Sequence, residues 1–105
     1  MATRKEYMEF MMDQLSALGD VYYRRMMGEY LIYYRDKLVA YVCDERLLIR
    51  PVPTALRMLP YAEYDSISEG GKKKYLRVDD VDDRESLIEL FTALYDELPC
   101  QHHKD

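Results

Sequence analysis

The sequence has few of the residues that most catalytic sites use. Its 105 residues include two histidines and two cysteines, and no tryptophan. Two cysteines do not make the disulfide framework of a small secreted domain, and Cys43 is predicted to be a reduced, packed thiol. Both histidines, His102 and His103, fall at the end of the chain. The sequence therefore offers no buried histidine to act as a general base.

Long apolar runs are also absent. No run approaches the roughly 20 residues that cross a bilayer, and the N-terminal residues lack the apolar segment of a signal peptide. A cytoplasmic location is therefore predicted. With 49% hydrophobic and 33% charged residues, the composition is that of a globular protein with one modest core. We expect a single domain over residues 1–99 and a flexible tail over residues 100–105.

Three short stretches resemble ligand sites but lack required parts. Residues 70–72 (Gly-Gly-Lys) lack the earlier glycine and the following Ser or Thr of a phosphate-binding loop. Residues 100–103 supply three metal ligands in the predicted tail, where structural zinc requires four. The acidic residues 79–83 lack the glycine and glutamate of a calcium loop, and helix capping explains them better. We therefore predict no enzyme activity, no metal site and no cofactor.

The charge is negative overall and unevenly distributed. The net charge of −5 disfavours nucleic acid as the main partner, since phosphate binding uses clustered lysine and arginine. Residues 22–57 contain seven basic and four acidic side chains, whereas residues 79–97 contain eight acidic ones and Arg84. This division could orient a protein partner, or it could be an acidic helix in water beside a mixed sheet.

Residues 19–50 dominate the chain and predict a meander of four β-strands. Their runs of Tyr, Val, Ile and Leu suit a pleated, partly buried surface. The predicted two-residue turns are Met27-Gly28, Asp36-Lys37 and Asp44-Glu45. Such turns would place Arg35 opposite Leu38, Tyr33 opposite Ala40, Leu31 opposite Val42, Val42 opposite Leu47 and Ala40 opposite Ile49. The predicted core face is then Leu31, Tyr33, Leu38, Ala40, Val42, Leu47 and Ile49.

The flanking segments predict helices and one further strand. A helix is expected over residues 3–18, with Thr3 and Glu6 as a capping box and Gly19 as its stop. Pro53 begins a short helix over residues 54–59, a polar loop covers residues 61–73, and a fifth strand covers residues 74–79. Asp82 is predicted to cap a last helix that ends at Pro99. The predicted fold is a two-layer α+β domain of order α-β-β-β-β-α-β-α.

The second sheet face is the main candidate for function because it is aromatic and apolar where a solvated face should be polar. Its predicted members, Tyr30, Ile32, Tyr34, Val39, Tyr41, Cys43 and Leu48 with Arg46 and Arg50 at the rim, match the make-up of protein interfaces. All of these residues except Cys43 are predicted to contact a protein partner or a second copy of the chain. A helix of the same chain could cover this face instead.

Two alternatives remain open. Direct nucleic-acid binding would use Arg24, Arg25, Arg46, Arg50 and residues 72–74 (Lys72, Lys73, Lys74) on phosphates, with tyrosines stacking on bases. A small-molecule sensor would hold its ligand between the terminal helices and the sheet, although no convergent polar set supports it.

The string RRMMGEY at residues 24–30, followed by LIYYRDKLVAYVCDERLLIRP, resembles the TfoX/Sxy N-terminal domain family. The block from Arg57 to Pro60, the strand YLRV and the last helix are also similar to this family. The resemblance implies a bacterial, non-enzymatic α+β module in transcription regulation, since family members regulate competence together with the cyclic-AMP receptor protein. Members typically carry a second, helical domain, and this sequence ends where that domain would begin. The resemblance therefore also implies a stand-alone module. We therefore predict a cytoplasmic regulatory protein-interaction module that forms a homo-oligomer, with transcription machinery as a candidate partner.

Overall fold

The structure is a computed structural model that describes residues 4–26, 29–66 and 73–98. In chain order its elements are α1 (Lys5–Gln14), a 3-10 turn (Ser16–Leu18), β1 (Val21–Met26), β2 (Glu29–Tyr34), β3 (Lys37–Cys43), β4 (Arg46–Ile49), α2 (Pro53–Met58), β5 (Tyr64–Asp65), β6 (Tyr75–Val78) and α3 (Arg84–Tyr95). The described strands form one antiparallel sheet of order β1-β2-β3-β4-β6-β5. The predicted α+β class and the four-strand meander are confirmed.

The sheet has one strand more than the sequence predicted. β5 lies inside the predicted loop of residues 61–73, where Tyr64 pairs with Leu76 and Asp65 pairs with Tyr75. The Arg77 N–H donates to the Glu63 carbonyl at 3.0 Å, which extends this pairing. A strand of two residues is too short to show an alternation of apolar and polar side chains, so the sequence could not indicate it. Its pairing depends on β6 being in place.

The register between β2 and β3 differs from the prediction. The turn occupies Arg35 and Asp36, so that Tyr34 pairs with Lys37. A bulge at Val39 then changes the register, because Tyr33 pairs with Leu38 whereas Ile32 pairs with Ala40. The predicted pairs Arg35–Leu38, Tyr33–Ala40 and Leu31–Val42 are therefore wrong. A shift of one residue moves every following side chain to the opposite face.

The turn between β3 and β4 is the predicted one. Asp44 and Glu45 both have positive φ, at 53° and 59°, which is the backbone of the tight hairpin turns that match strand twist. Val42 accordingly pairs with Leu47, and Ala40 with Ile49. The predicted turn at Met27-Gly28 lies outside the described residues.

The corrected register decides which side chains pack against the helices. Ala40, Val42, Leu47 and Ile49 lie in the core as predicted, but the other strand residues of the core are Tyr30, Ile32, Tyr34, Val39, Leu76 and Val78. Leu31, Tyr33 and Leu38 move to the second face. The helices add Met8, Met11 and Leu15 from the first helical segment, Ala55 from α2, and Leu87, Leu90, Phe91 and Leu94 from α3.

The residues that begin and end the helices agree only in part with those predicted from the sequence. α1 begins at Lys5 with Arg4 at its N-cap and no side-chain cap, whereas Thr3 lies outside the described residues. Gly19, at φ 93°, ends the segment as predicted. The cap of α3 is Asp83 rather than the predicted Asp82, and it accepts from the Ser86 N–H at 3.2 Å and the Ser86 hydroxyl at 2.9 Å.

Glu97, just after α3, ties that helix to α2. Its carboxylate accepts hydrogen bonds from the Thr54 N–H at 3.0 Å and from the Thr54 hydroxyl. Pro53 occupies the first turn of α2, as predicted. The helices within the described ranges are too short or too polar to cross a bilayer.

Candidate functional site

The second face of the sheet carries an apolar row with an arginine at each end. Across neighbouring strands the register joins Arg24 to Leu31, Leu31 to Tyr41, Tyr41 to Leu48 and Leu48 to Arg77. Leu31 is 8% exposed and Leu48 is fully buried. This face is therefore already covered at its centre in a single copy of the chain.

An ion-pair network explains how the centre is covered. Arg46 and Arg77 converge on the Asp65 carboxylate, at 2.5 Å and 3.7 Å. Leu48 lies two residues from Arg46 on the same strand and pairs with Arg77, so the register places the apolar stems of both arginines beside it. The hydrogen bond from Arg46, the Ser66 N–H and the Arg77 charge hold the pKa of Asp65 below its ordinary value. Arg46 is thus part of an internal network.

Cys43 is a buried free thiol, as predicted. Its Sγ donates to Glu29 Oε2 at 3.5 Å and accepts from Arg46 Nη2 at 3.7 Å. Burial and the Glu29 carboxylate raise the pKa of the thiol, and the hydrogen bond from Arg46 partly opposes this. The thiol is therefore protonated at neutral pH, which makes it a weak nucleophile.

The abundance of tyrosine is explained largely by ring pairs within the chain. Four contacts have centroid distances of 4.9–5.4 Å: Tyr22–Tyr33, Tyr23–Tyr30, Tyr34–Tyr95 and Tyr41–Tyr75. These pairs involve eight of the eleven tyrosines. Aromatic pairs of this kind stabilise a fold beyond the area they bury, so tyrosine content alone does not indicate a partner.

The predicted interface residues do not form one surface. Tyr30, Ile32, Tyr34 and Val39 pack in the core against the helices, so their assignment to the second face is wrong. Tyr41, Leu48 and Arg46 lie on the second face, as the pairing of β3 with β4 requires, and Arg50 directly follows β4. The role of any of these residues in contacting a partner stays a prediction.

β1 forms the outer edge of the sheet, with no strand beyond it among the described residues. Tyr22 and Met26 are 46% and 51% exposed, and Arg24 and Arg25 are also exposed. The strand contains no proline. Sequence reasoning placed Arg24 and Arg25 in a nucleic-acid site and did not identify this edge, although an initial strand in a meander is a natural edge.

The predicted nucleic-acid residues separate into two groups. Arg24 and Arg25 lie on β1, whereas Lys73 and Lys74 precede β6 and line a cleft together with Arg50. Three strand spacings separate β1 from β4, or about 14 Å. Lys72 lies outside the described residues.

No cluster of three or more His, Cys, Asp or Glu suited to a metal occurs within residues 4–26, 29–66 and 73–98. The stretches 70–72 and 100–103 lie outside these ranges. A cavity of about 200 Å³ lies between α2, β6 and α3, with Met58, Val78 and Leu87 among its lining residues. It is not at the predicted position between the two terminal helices and the sheet.

Comparison with known proteins adds a family match and one relative. The family model described as "TfoX N-terminal domain" matches residues 13–97. A protein of Spirochaeta aurantia, described as an uncharacterized 12.7 kDa protein in the trpE 5′ region, is 29% identical over 100 residues. That alignment covers 95% of this chain and 87% of the relative.

Proposed function

Because the chain belongs to the TfoX N-terminal domain family, we propose that it is a non-enzymatic, regulatory protein-interaction module of the cytoplasm. We further propose that it works as a dimer joined along β1. The observation that supports the dimer is the open β1 edge, a six-residue strand with exposed Tyr22 and Met26.

The backbone of β1 can accept another strand. The Arg35 N–H donates to the Asp20 carbonyl at 2.8 Å, which makes these two residues a hydrogen-bonded pair. Alternation along an antiparallel ladder then turns the N–H and C=O groups of Val21, Tyr23 and Arg25 away from β2. Three outward donors and three outward acceptors are therefore available along this edge.

Arginine on an edge can also serve to prevent pairing, so the charges decide which partner fits. If two copies pair antiparallel about Tyr22, Asp20 of each copy lies opposite Arg24 of the other. If they pair about Tyr23, Tyr22 lies opposite Arg24 and Val21 opposite Arg25. Neither register places arginine opposite arginine, and each offers an ion pair or a cation–π contact. A second copy of this chain is the partner that this edge suits.

Replacing Arg25 by proline tests the dimer. Arg25→Pro removes an outward N–H without removing a bond to β2, because proline is tolerated on the solvent side of an edge strand. Arg25→Ala is the matched control, since it removes the charge and keeps the N–H. By light scattering, the wild type and Arg25→Ala should have twice the 12.6 kDa chain mass, and Arg25→Pro should have the mass of one chain.

Circular dichroism should show equal helix content in all three proteins. A wild type that stays monomeric at about 100 µM, a concentration at which a specific interface should be occupied, would overturn the dimer. A folded Arg25→Pro protein that remains dimeric would overturn the assignment to β1.

The regulatory part of the proposal is supported by family membership and is tested separately. Affinity capture of the tagged chain from its native lysate should recover a transcription factor or polymerase subunit. Recovery of untagged copies of the chain alone would contradict a regulatory partner while leaving the dimer intact.

A further inference from the structure

A cleft at the junction of β4 and β6 is basic, although the chain as a whole is acidic. The cleft has a volume of about 400 Å³ and is lined by Arg50, Pro51, Val52, Lys73, Lys74 and Tyr75. Half of these residues are cationic and none is acidic. The chain carries a net charge of −5, so general charge balance does not explain this concentration of positive charge.

The cations of the cleft differ from Arg46 and Arg77, the arginines of the adjoining strands, in having no carboxylate partner among the described residues. Arg46 and Arg77 are both paired with acids of the same chain. Within the described part of the chain, no ion pair or side-chain hydrogen bond involves Arg50, Lys73 or Lys74. Grouped like charges repel one another, and a bound anion would relieve that repulsion.

The cleft wall is fixed by the backbone. The Val52 N–H donates to the Arg50 carbonyl at 2.8 Å, which makes a tight turn around Pro51. Pro51 has a fixed φ, and α2 begins directly after Val52. The position from which Arg50 enters the cleft is therefore set before any ligand binds, which lowers the entropy lost on binding.

Tyr75 adds a neutral aromatic wall beside the cations. Its ring lies 4.9 Å from that of Tyr41. Burial and the neighbouring Tyr41 raise the pKa of the Tyr75 hydroxyl, and the charge of Arg50 opposes this shift. The hydroxyl consequently keeps its proton at neutral pH, so Tyr75 adds no negative charge to the cleft.

We propose that this cleft binds a small phosphate-bearing anion of the size of a nucleotide or a pyrophosphate. The volume is within the range of small-molecule sites, and a guanidinium with two ammonium groups provides the donors that phosphate oxygens accept. A nucleic acid fits less well, because Arg24 and Arg25, which would extend a phosphate-binding track, lie on the edge strand β1, three strands away from β4.

Calorimetric titration of the whole chain with inorganic pyrophosphate tests the proposal, with ATP and a 12-nucleotide single-stranded DNA as parallel ligands. Pyrophosphate and ATP should bind with similar affinity. The double variant Lys73→Gln/Lys74→Gln should weaken this binding about tenfold or more, as expected from the loss of charge-assisted contacts. Both lysines are exposed, so this variant should fold, and Arg50→Gln gives an independent second test.

Arg24→Gln/Arg25→Gln is the matched control, because it removes the same charge at the far edge. An equal loss of affinity in this control would show that the anion is attracted to positive charge in general. That result would overturn the assignment of binding to the cleft. Absence of pyrophosphate binding, or binding of the DNA alone, would overturn it as well. The dimer along β1 affects only the control, because Arg24 and Arg25 lie on β1. The mass of the control variant is therefore measured by light scattering in the same experiment.

Discussion

Among single residues, Cys43 shows how burial and charge act together on one group. The thiol is 7% exposed and lies between the carboxylate of Glu29 and the guanidinium of Arg46. The sequence indicated a packed thiol, because free cysteine is usually buried. It could not indicate Glu29 as the partner, since that contact joins two strands through the β2–β3 register.

We expect Cys43 to react slowly with iodoacetamide and to react faster in a Glu29→Gln variant. Removal of the carboxylate takes away one of the causes that raise the thiol pKa, so the reactive thiolate becomes more abundant. The rate would be measured between pH 7 and pH 10 in a Cys100→Ser background, so that only one thiol reports. Equal rates in the presence and absence of Glu29 would contradict this account.

At the scale of elements, the contact between α3 and α2 makes part of the stability dependent on pH. Hydrogen bonds from the side chain and the backbone of Thr54 lower the pKa of Glu97 from its ordinary value of 4.5. A carboxyl with a lowered pKa stabilises the folded state above its unfolded pKa, and this contribution is lost as the pH falls through the folded pKa.

Glu97→Gln should therefore be less stable than the wild type at pH 7, with the difference shrinking as the pH falls below about 4.5. The urea midpoint would be measured at several pH values. Glu89→Gln is the control, because Glu89 is an exposed glutamate on α3, the helix that Glu97 follows. A Glu97→Gln difference that stays constant down to the acid end would contradict the role of the ionised carboxylate.

Strand register is the feature of the elements that local pattern could not supply. The turn at Asp44-Glu45 was predicted correctly, and with it the pairing of β3 with β4. The pairing of β2 with β3 was not, because Tyr, Ile, Val and Leu occupy both faces and the alternation carries no signal. The bulge at Val39 places Val39 and Ala40 together in the core, which no two-residue period predicts.

At the scale of the whole molecule, the sheet has a buried centre on both faces, covered by different means. Helices cover one face around Phe91, and the ion-paired arginines with tyrosines cover the other around Leu48. Phe91 and Leu48 are both fully buried. Each face should therefore contribute substantially to the free energy of unfolding.

Leu48→Ala should lower the free energy of unfolding by about 2–5 kcal/mol and Phe91→Ala by about 3–5 kcal/mol. Leu56→Ala, at a side chain that is 42% exposed, should change it by less than about 0.5 kcal/mol. Urea denaturation provides all three values. If Leu48→Ala behaves like Leu56→Ala, the arginine network does not form a packed layer.

The sequence alone indicated the fold class, the helical segments, five of the six described strands and the family. These features depend on local spacing, on turn residues and on amphipathic period, which act over a few residues. Tertiary structure decided which face of the sheet meets the helices, where β5 pairs, and which cations have no acid partner among the described residues. Those outcomes depend on contacts such as Asp65 with Arg46 and Glu97 with Thr54, and on which residues line one cleft, as Arg50 and Lys74 do. They arise only when the chain folds, because whether a charged side chain has a partner depends on its neighbours in space.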